Sequence, residues 1–144
     1  MTRVDFYVLP TEAPRNRALL ACRLAEKAFS QGHRVYIHTG SEQQSQELDD
    51  LLWTFRQGSF IPHAITGTET AENAAVLVGH QPEPAGNHLD VLINTAQEVP
   101  LFFGRFERVA ELVDQQPGTL QQARERYKFY RDRGYELQSH NIKS

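Results

Sequence analysis

The side chains best equipped for chemistry crowd into one stretch, Ala123 to Gly134. It holds Arg124, Arg126, Lys128, Arg131 and Arg133 against only Glu125 and Asp132, with Tyr127, Phe129 and Tyr130 set among them. That is a local balance of +3 on a chain of net charge −3, so the remainder carries −6. Strong helix formers run unbroken to Gly134, a residue type suited to the position just past a helix end. The stretch therefore reads as the last turns of a helix. Residues three and four apart share a helix face, which puts Ala123, Tyr127, Tyr130 and Gly134 in one stripe and Arg124, Lys128 and Arg131 in a row beside it. Cations bordering an aromatic stripe suit a ligand that is both acidic and apolar. The competing reading is a solvated helix face, since late-helix Lys and Arg are favoured by the dipole in any case. Spacing alone leaves both open.

Catalytic patterns are weaker. The six histidines (33, 38, 63, 80, 88 and 140) show no His-x-x-x-His or His-x-His pair of metal-ligand type. His88 and Asp90 are a conceivable acid/base pair, supported only by alternation along one strand. Cys22 falls on an apolar helix face, which favours an inert buried thiol over a nucleophile. Ser41 is explained as a helix cap. For nucleotides, the turn Pro10-Thr-Glu-Ala-Pro14 has no glycine, and Glu12 would repel a pyrophosphate. Thr39-Gly-Ser-Glu42 is far short of a dinucleotide fingerprint or a P-loop. Neither metal nor cofactor is expected.

A second cluster is aromatic: Leu52-Trp53-Thr-Phe55, then Phe60-Ile-Pro-His63. Helical geometry turns Trp53 roughly 100° or more away from Leu52 and Phe55. An aromatic off the core face makes an exposed patch of the kind that marks interfaces, unless a later segment of the chain covers it.

These residues are positioned by alternating elements. Arg3–Leu9 reads as a strand. A helix follows, with Pro14 in its first turn and Leu19, Cys22, Ala25, Ala28 and Phe29 on its apolar face, ending at Gly32. His33–His38 is a second strand, and Ser41-Glu-Gln-Gln44 is a capping-box pattern before a helix with Leu48, Leu51, Leu52 and Phe55 inward. Gly58–His63 is an apolar segment pinned by proline, and Thr66–Asn73 reads as loop. Ala75–Gly79 is a third strand, Gln81–Asn87 an exposed turn, Leu89–Asn94 a fourth strand and Pro100–Phe103 a short fifth. Phe106, Val109, Ala110, Leu112 and Val113 mark a helix, which Pro117 and Gly118 break before the basic one. Tyr135–Leu137 could add an edge strand. Short strands alternating with helices imply parallel βαβ units. The expectation is one α/β domain over 1–144: a doubly wound, mainly parallel, Rossmann-like sheet, helices on both faces, no phosphate-binding loop.

The totals agree. The 144 residues suffice for one core, and 40% hydrophobic with 23% charged content is that of a soluble globular protein. A net charge of −3 argues against strong direct nucleic-acid binding. One cysteine fits a reducing compartment. No signal-peptide core opens the chain, and no apolar run approaches the roughly 20 residues of a membrane span. The expected location is the cytoplasm, with no membrane partner.

Phe6-Tyr7, Leu48-Asp49, Leu52-Trp53, Ser59-Phe60-x-Pro62-His63, Asp90-x-Leu92-Ile93-Asn94 and Ala123-Arg-Glu-Arg-Tyr-Lys-x-Tyr-Arg131 with Gly134 occur in this order. Together they resemble the chi subunit family of bacterial DNA polymerase III holoenzyme from end to end. The resemblance implies a non-catalytic adaptor in DNA replication, linking the clamp loader (indirectly, through the psi subunit) to single-stranded DNA-binding protein. That partner's acidic C-terminal tail, ending in Pro-Phe, would be held by Arg124, Tyr127, Lys128 and Arg131. Trp53, Phe60, Ile61 and Pro62 would meet psi. Thr119-Leu-Gln-Gln122 carries no cation, so the basic surface is narrower than the simplest tail-binding scheme needs. The alternatives are a single-strand nucleic-acid binder stacking bases on the basic helix's tyrosines, and a small α/β enzyme with its site at the strand carboxyl ends.

Overall fold

The computed structural model describes residues 2–58, 60–66, 74–81 and 90–142. In chain order the elements are β1 (Arg3–Val8), α1 (Pro14–Ser30), β2 (Val35–His38), α2 (Glu42–Thr54), β3 (His63–Ile65), β4 (Val76–Gly79), β5 (Val91–Asn94), β6 (Arg108–Val113), α3 (Pro117–Asp132) and β7 (Glu136–Asn141). Among the described residues, the seven strands form one sheet in the order β3-β4-β2-β5-β6-β1-β7. Every neighbouring pair is parallel. This is the doubly wound α/β arrangement that the alternating pattern predicts.

Side-chain alternation sorts the sheet into two cores. Val35 and Ile37 of β2 pack with Ala21, Cys22 and Ala25 of α1 and with Leu48 and Leu52 of α2. Tyr36, between them, points the other way, into a core with Ala123 and Tyr130 of α3 and with Phe102, Phe103 and Phe106. A strand covered on both faces reads as an unbroken apolar run, which is why β2, β4 and β5 carry Val-Tyr-Ile, Val-Leu-Val and Val-Leu-Ile.

The helix ends follow their sequence signals. Ser41 Oγ accepts from the Gln44 N–H at 3.2 Å, and Gln44 Oε1 accepts from the Gly40 N–H at 2.9 Å, one residue before the cap. Gly134 has φ +79°. Its N–H donates to Arg131 O, and that of Tyr135 to Tyr130 O. This pair of bonds closes α3 with a glycine at the position the sequence assigns it.

Three readings are corrected. Phe106 to Val113 is not a helix: Arg108–Val113 is β6, between β5 and β1. Val109, Leu112 and Val113 do recur at helical spacing, but so does any short apolar run, and burial on both faces decides for strand. Pro100–Phe103 is not a strand; it leads into a 3-10 turn at Phe103–Arg105 that drops Phe102 and Phe103 into the second core. Pro117 and Gly118 do not precede α3 but form its first turn, after Gln116. The segment pinned by Pro62 runs into a further short strand, β3. Of the predicted Thr66–Asn73 loop, residues 67–73 lie outside the described residues, as do 82–89, which hold most of the Gln81–Asn87 turn, His88 and Leu89.

Candidate docking surfaces

Of the four cations of α3 and the one at its C-cap, Arg133, two serve the fold. Arg126 is buried, its Nε donating to Glu111 Oε1 at 2.9 Å and its NH1 to Gln97 O at 2.9 Å. Arg133 lies over the Phe129 ring, 3.6 Å from its centroid, and donates to Phe129 O. The other three are the row predicted from spacing. Arg124 and Lys128 are exposed and make no ion pair among the described residues. Arg131 has only an exposed contact with Asp132 at 3.4 Å, a pair of little energetic weight.

Beside this row the helix is half open. Tyr127 is 37% exposed and rests edge-on against the buried Phe6 of β1, ring centroids 5.3 Å apart. Leu120, Val8 and Leu137 pack partly buried against the same core. α3, β1 and the edge strand β7 thus leave a partly exposed apolar strip, with cations along its helical side. Leu120, four residues before Arg124 and seven before Tyr127, falls on that face by helical spacing. Val8 and Leu137 enter only through the tertiary fold.

A buried polar network supports the helix. Glu111 of β6 is fully buried and accepts from Arg126, from Tyr130 OH at 2.7 Å and from Asn94 Nδ2 at 3.1 and 3.2 Å. Burial pushes its carboxyl above the ordinary range, opposed by the guanidinium and these donors. Burial and the adjoining carboxylate raise the Tyr130 phenol, so it remains a donor. Asn94 also donates to Glu98 O. The network therefore fastens α3, β5, β6 and the 95–99 segment together. The sequence points to neither Glu111 nor Arg126 in this role, because apolar spacing over 106–113 suggests a helix.

At the far edge of the sheet, Trp53 is 62% exposed and Phe60 83%. No later described segment covers the indole. His63 props it, rings 4.6 Å apart, and is itself fixed by a 2.7 Å contact to Ile61 O. Pro62 is exposed and its carbonyl accepts from the Ala75 and Val76 N–H groups, tying the segment to β4. Ile61 differs from its neighbours: at 4% exposure it belongs to the first core. It anchors the patch from below instead of presenting a surface. Leu101, 92% exposed, is a further apolar side chain in solvent, within the Pro100–Phe103 segment whose sequence suggests a strand.

The carboxyl edge was the place for a nucleotide or a reaction. In this fold ligands bind where neighbouring strands send their connections to opposite faces, as β1 and β6 do. That crevice is filled by the chain itself: Gln115 N–H donates to Thr11 O, Gln115 Nε2 to Leu9 O and Gln116 Nε2 to Glu12 O, all at 2.7–2.8 Å. A cleft of about 650 Å³ lies between α1 and α2, with Arg15, Arg17, Glu47 and Asp50 in its lining. Its hydroxyls are engaged, Thr39 with Ser45 and Thr95 with His38 O. Asp90 accepts from the Arg34 N–H at 2.7 Å. Burial pushes the Cys22 thiol up to about 12 and pulls His38 down to about 4, with His80 adding to the latter. No group of three potential metal ligands occurs among the described residues. Nor, among them, is any helix long and apolar enough to cross a membrane.

Fold and surfaces together define a doubly wound α/β protein with exposed cations on α3 and exposed aromatic side chains at Trp53 and Phe60. A solved structure of similar fold is the Mss116p DEAD-box helicase domain 2 bound to an RNA duplex. It matches at a TM-score of 0.59 and 12% identity over 97% of this chain and 65% of that one. At that identity the likeness concerns the fold alone.

Sequence comparison is more specific. The family described as "DNA polymerase III chi subunit, HolC" matches residues 1–138. The DNA polymerase III subunit chi of Pseudomonas aeruginosa is 49% identical over 142 residues, 99% of this chain and 98% of that protein. Those of Haemophilus influenzae and Escherichia coli are 31% and 32% identical, over 96% and 82% of this chain and 96% and 80% of theirs. The chain belongs to the DNA polymerase III chi subunit family, accessory factors of DNA replication.

Proposed function

We propose that the chain is a non-catalytic adaptor with two docking surfaces. Its α3 face takes the acidic, Pro-Phe-ending tail of single-stranded DNA-binding protein, and its Trp53–Phe60 patch takes the psi subunit and through it the clamp loader. The observation that carries the reading is the division of labour on α3. The helix buries or stacks Arg126 and Arg133, yet leaves Arg124, Lys128 and Arg131 in solvent beside the half-exposed Tyr127. Arg124 and Arg131 suit carboxylates because the guanidinium fork pairs both oxygens. Tyr127, Leu120 and Leu137 offer apolar surface for the terminal ring. At the other edge, Trp53, Phe60 and Pro62 supply an aromatic anchor of the type that dominates protein interfaces.

The test is a calorimetric titration with a short peptide matching the tail, at low and high salt, beside a peptide lacking the terminal phenylalanine. Binding should weaken with salt, because the charged contacts are exposed, and vanish without the phenylalanine. Arg124→Ala should cost roughly 1.5–3 kcal/mol, the scale of a hydrogen bond to a charged group. No binding at either salt would leave α3 a solvated helix and overturn the tail-docking half of the proposal.

A further inference from the structure

β7 ends the sheet, pairing with β1 on one side and with no described strand on the other. Its hydrogen-bond phase is fixed by its last contact. The Ile142 N–H donates to Val8 O at 2.9 Å, so the even-numbered residues of β7 turn their peptide groups toward β1. Successive peptide groups of a strand point to opposite sides. Leu137, Ser139 and Asn141 therefore aim N–H and C=O outward along the free edge. The same alternation places the side chains of these three on the α3 side of the sheet, where Leu137 joins the second core.

An edge of this kind is a template for another strand, and folded proteins usually blunt it with Lys, Pro or a bulge. Glu-Leu-Gln-Ser-His-Asn has no Lys or Pro, and its six residues pair in unbroken register with β1. What stands beside the edge is the exposed cationic face of α3. From its seat against Phe6, Tyr127 places β1 and β7 on one flank of α3. Leu120, Arg131 and Arg124 follow it around the helix at steps of about 20°, at 100° per residue. A free strand edge beneath a row of cations suits an extended peptide rich in carboxylates. It repels a basic one.

We infer that the acidic peptide docks as an eighth strand on β7, hydrogen-bonding to the outward peptide groups of Leu137, Ser139 and Asn141 while its carboxylates meet Arg124 and Arg131. This rests on the tail-docking reading above and adds its geometry: the peptide's backbone, and not only its side chains, is recognised. Affinity should then depend on which backbone amides of the peptide are free.

Amide hydrogen exchange on the whole protein, with and without the tail peptide, tests this. Leu137, Ser139 and Asn141 should slow by about tenfold or more on saturation, while Gln138 and His140, already paired with β1, change little. Ser139→Pro removes only an outward donor, a substitution an edge strand tolerates, and should weaken the peptide by about tenfold with thermal stability retained. If that variant does not fold, peptides N-methylated at alternate residues replace it, one phase binding and the other not. Peptide that binds, and is weakened by Arg124→Ala, yet leaves those three amides unprotected and tolerates methylation in both phases overturns strand addition and leaves tail docking intact. Protection that rises with protein concentration in the absence of peptide assigns the edge to a second copy and overturns the inference. A peptide that does not bind the wild-type protein at all overturns the docking reading itself.

Discussion

Arg124 and Arg126 stand two positions apart on α3 and face opposite environments. Arg124 ends in solvent, where its charge is available to a partner, and its loss should leave the fold alone. Arg126 is 4% exposed, sealed against Glu111. Removing one member of a buried ion pair leaves the other charged and unpaired, at a cost of about 3–5 kcal/mol. Arg126→Met should therefore lower the urea midpoint strongly. Adding Glu111→Gln should recover a good part of the loss, because the stranded charge is gone while Asn94 and Tyr130 keep an acceptor. If the double variant is no more stable than Arg126→Met alone, the cost lies in packing and not in the uncompensated carboxylate. The sequence distinguishes these two arginines poorly. Both belong to the same basic run, and what separates them is a glutamate that sits in strand β6 and becomes Arg126's neighbour only through the tertiary fold.

At the scale of elements, the amphipathic helices were legible and the buried strands only partly so. α1, α2 and α3 announce themselves by apolar periodicity closed by Gly32 and Gly134 or opened by Ser41, signals local to the chain. β6 has no such signature. Its Val-Ala-Glu-Leu-Val fits a short helix as well as a strand, and the charge within that run, Glu111, argues on composition against the centre of a sheet. Pairing partners fifteen or more residues away overrule that composition. The apolar strip beside α3 was legible on its helical side, through Tyr127 and the cation row, and not on its sheet side, for the same reason. Strand pairing also explains Asp5, in which β1, β6 and β7 meet. Its carboxylate is 1% exposed, 3.2 Å from Arg108 of β6, 2.9 Å from His140 of β7 and 3.4 Å from Arg3. Burial alone would raise its pKa, but the bonds from His140 and Arg108 and the charges of Arg3 and Arg108 outweigh it, and the folded carboxyl lies below 3.8. As the pH falls the unfolded chain takes up this proton first. The stabilisation is therefore complete above about the unfolded value and lost as the pH drops through the folded one. Asp5→Asn should cost about 1–3 kcal/mol at pH 7, the range for a stranded charged hydrogen bond. Its difference from wild type should narrow in unfolding curves below the unfolded value. A gap of equal size at both pH values would mean that Asp5 contributes shape and not charge.

For the whole molecule, the strand order sets how the two surfaces relate. Trp53 and Phe60 belong to α2 and the approach to β3 at one edge of the sheet, and the exposed face of α3 lies beside β1 and β7 at the other. Six interstrand steps of about 4.8 Å put those edges roughly 29 Å apart. The intervening strands are parallel, buried on both faces and fastened by Glu111, Arg126 and Asn94, so no described element touches both surfaces and could move between two arrangements. Sites so far apart, with no shared partner, contribute independently within about 0.3–0.5 kcal/mol. Phe60→Ala should therefore abolish psi binding while tail-peptide affinity stays within that margin, and Arg124→Ala should do the reverse. Titrating the peptide into the free chain and into the chain saturated with psi checks the same independence without mutation. Equal affinities make the chain a rigid spacer that holds two partners at a fixed separation. A psi-dependent change of tenfold would require a coupling of about 1.4 kcal/mol carried across the sheet, and the rigid-spacer account would then have to give way to one in which the central strands shift on binding.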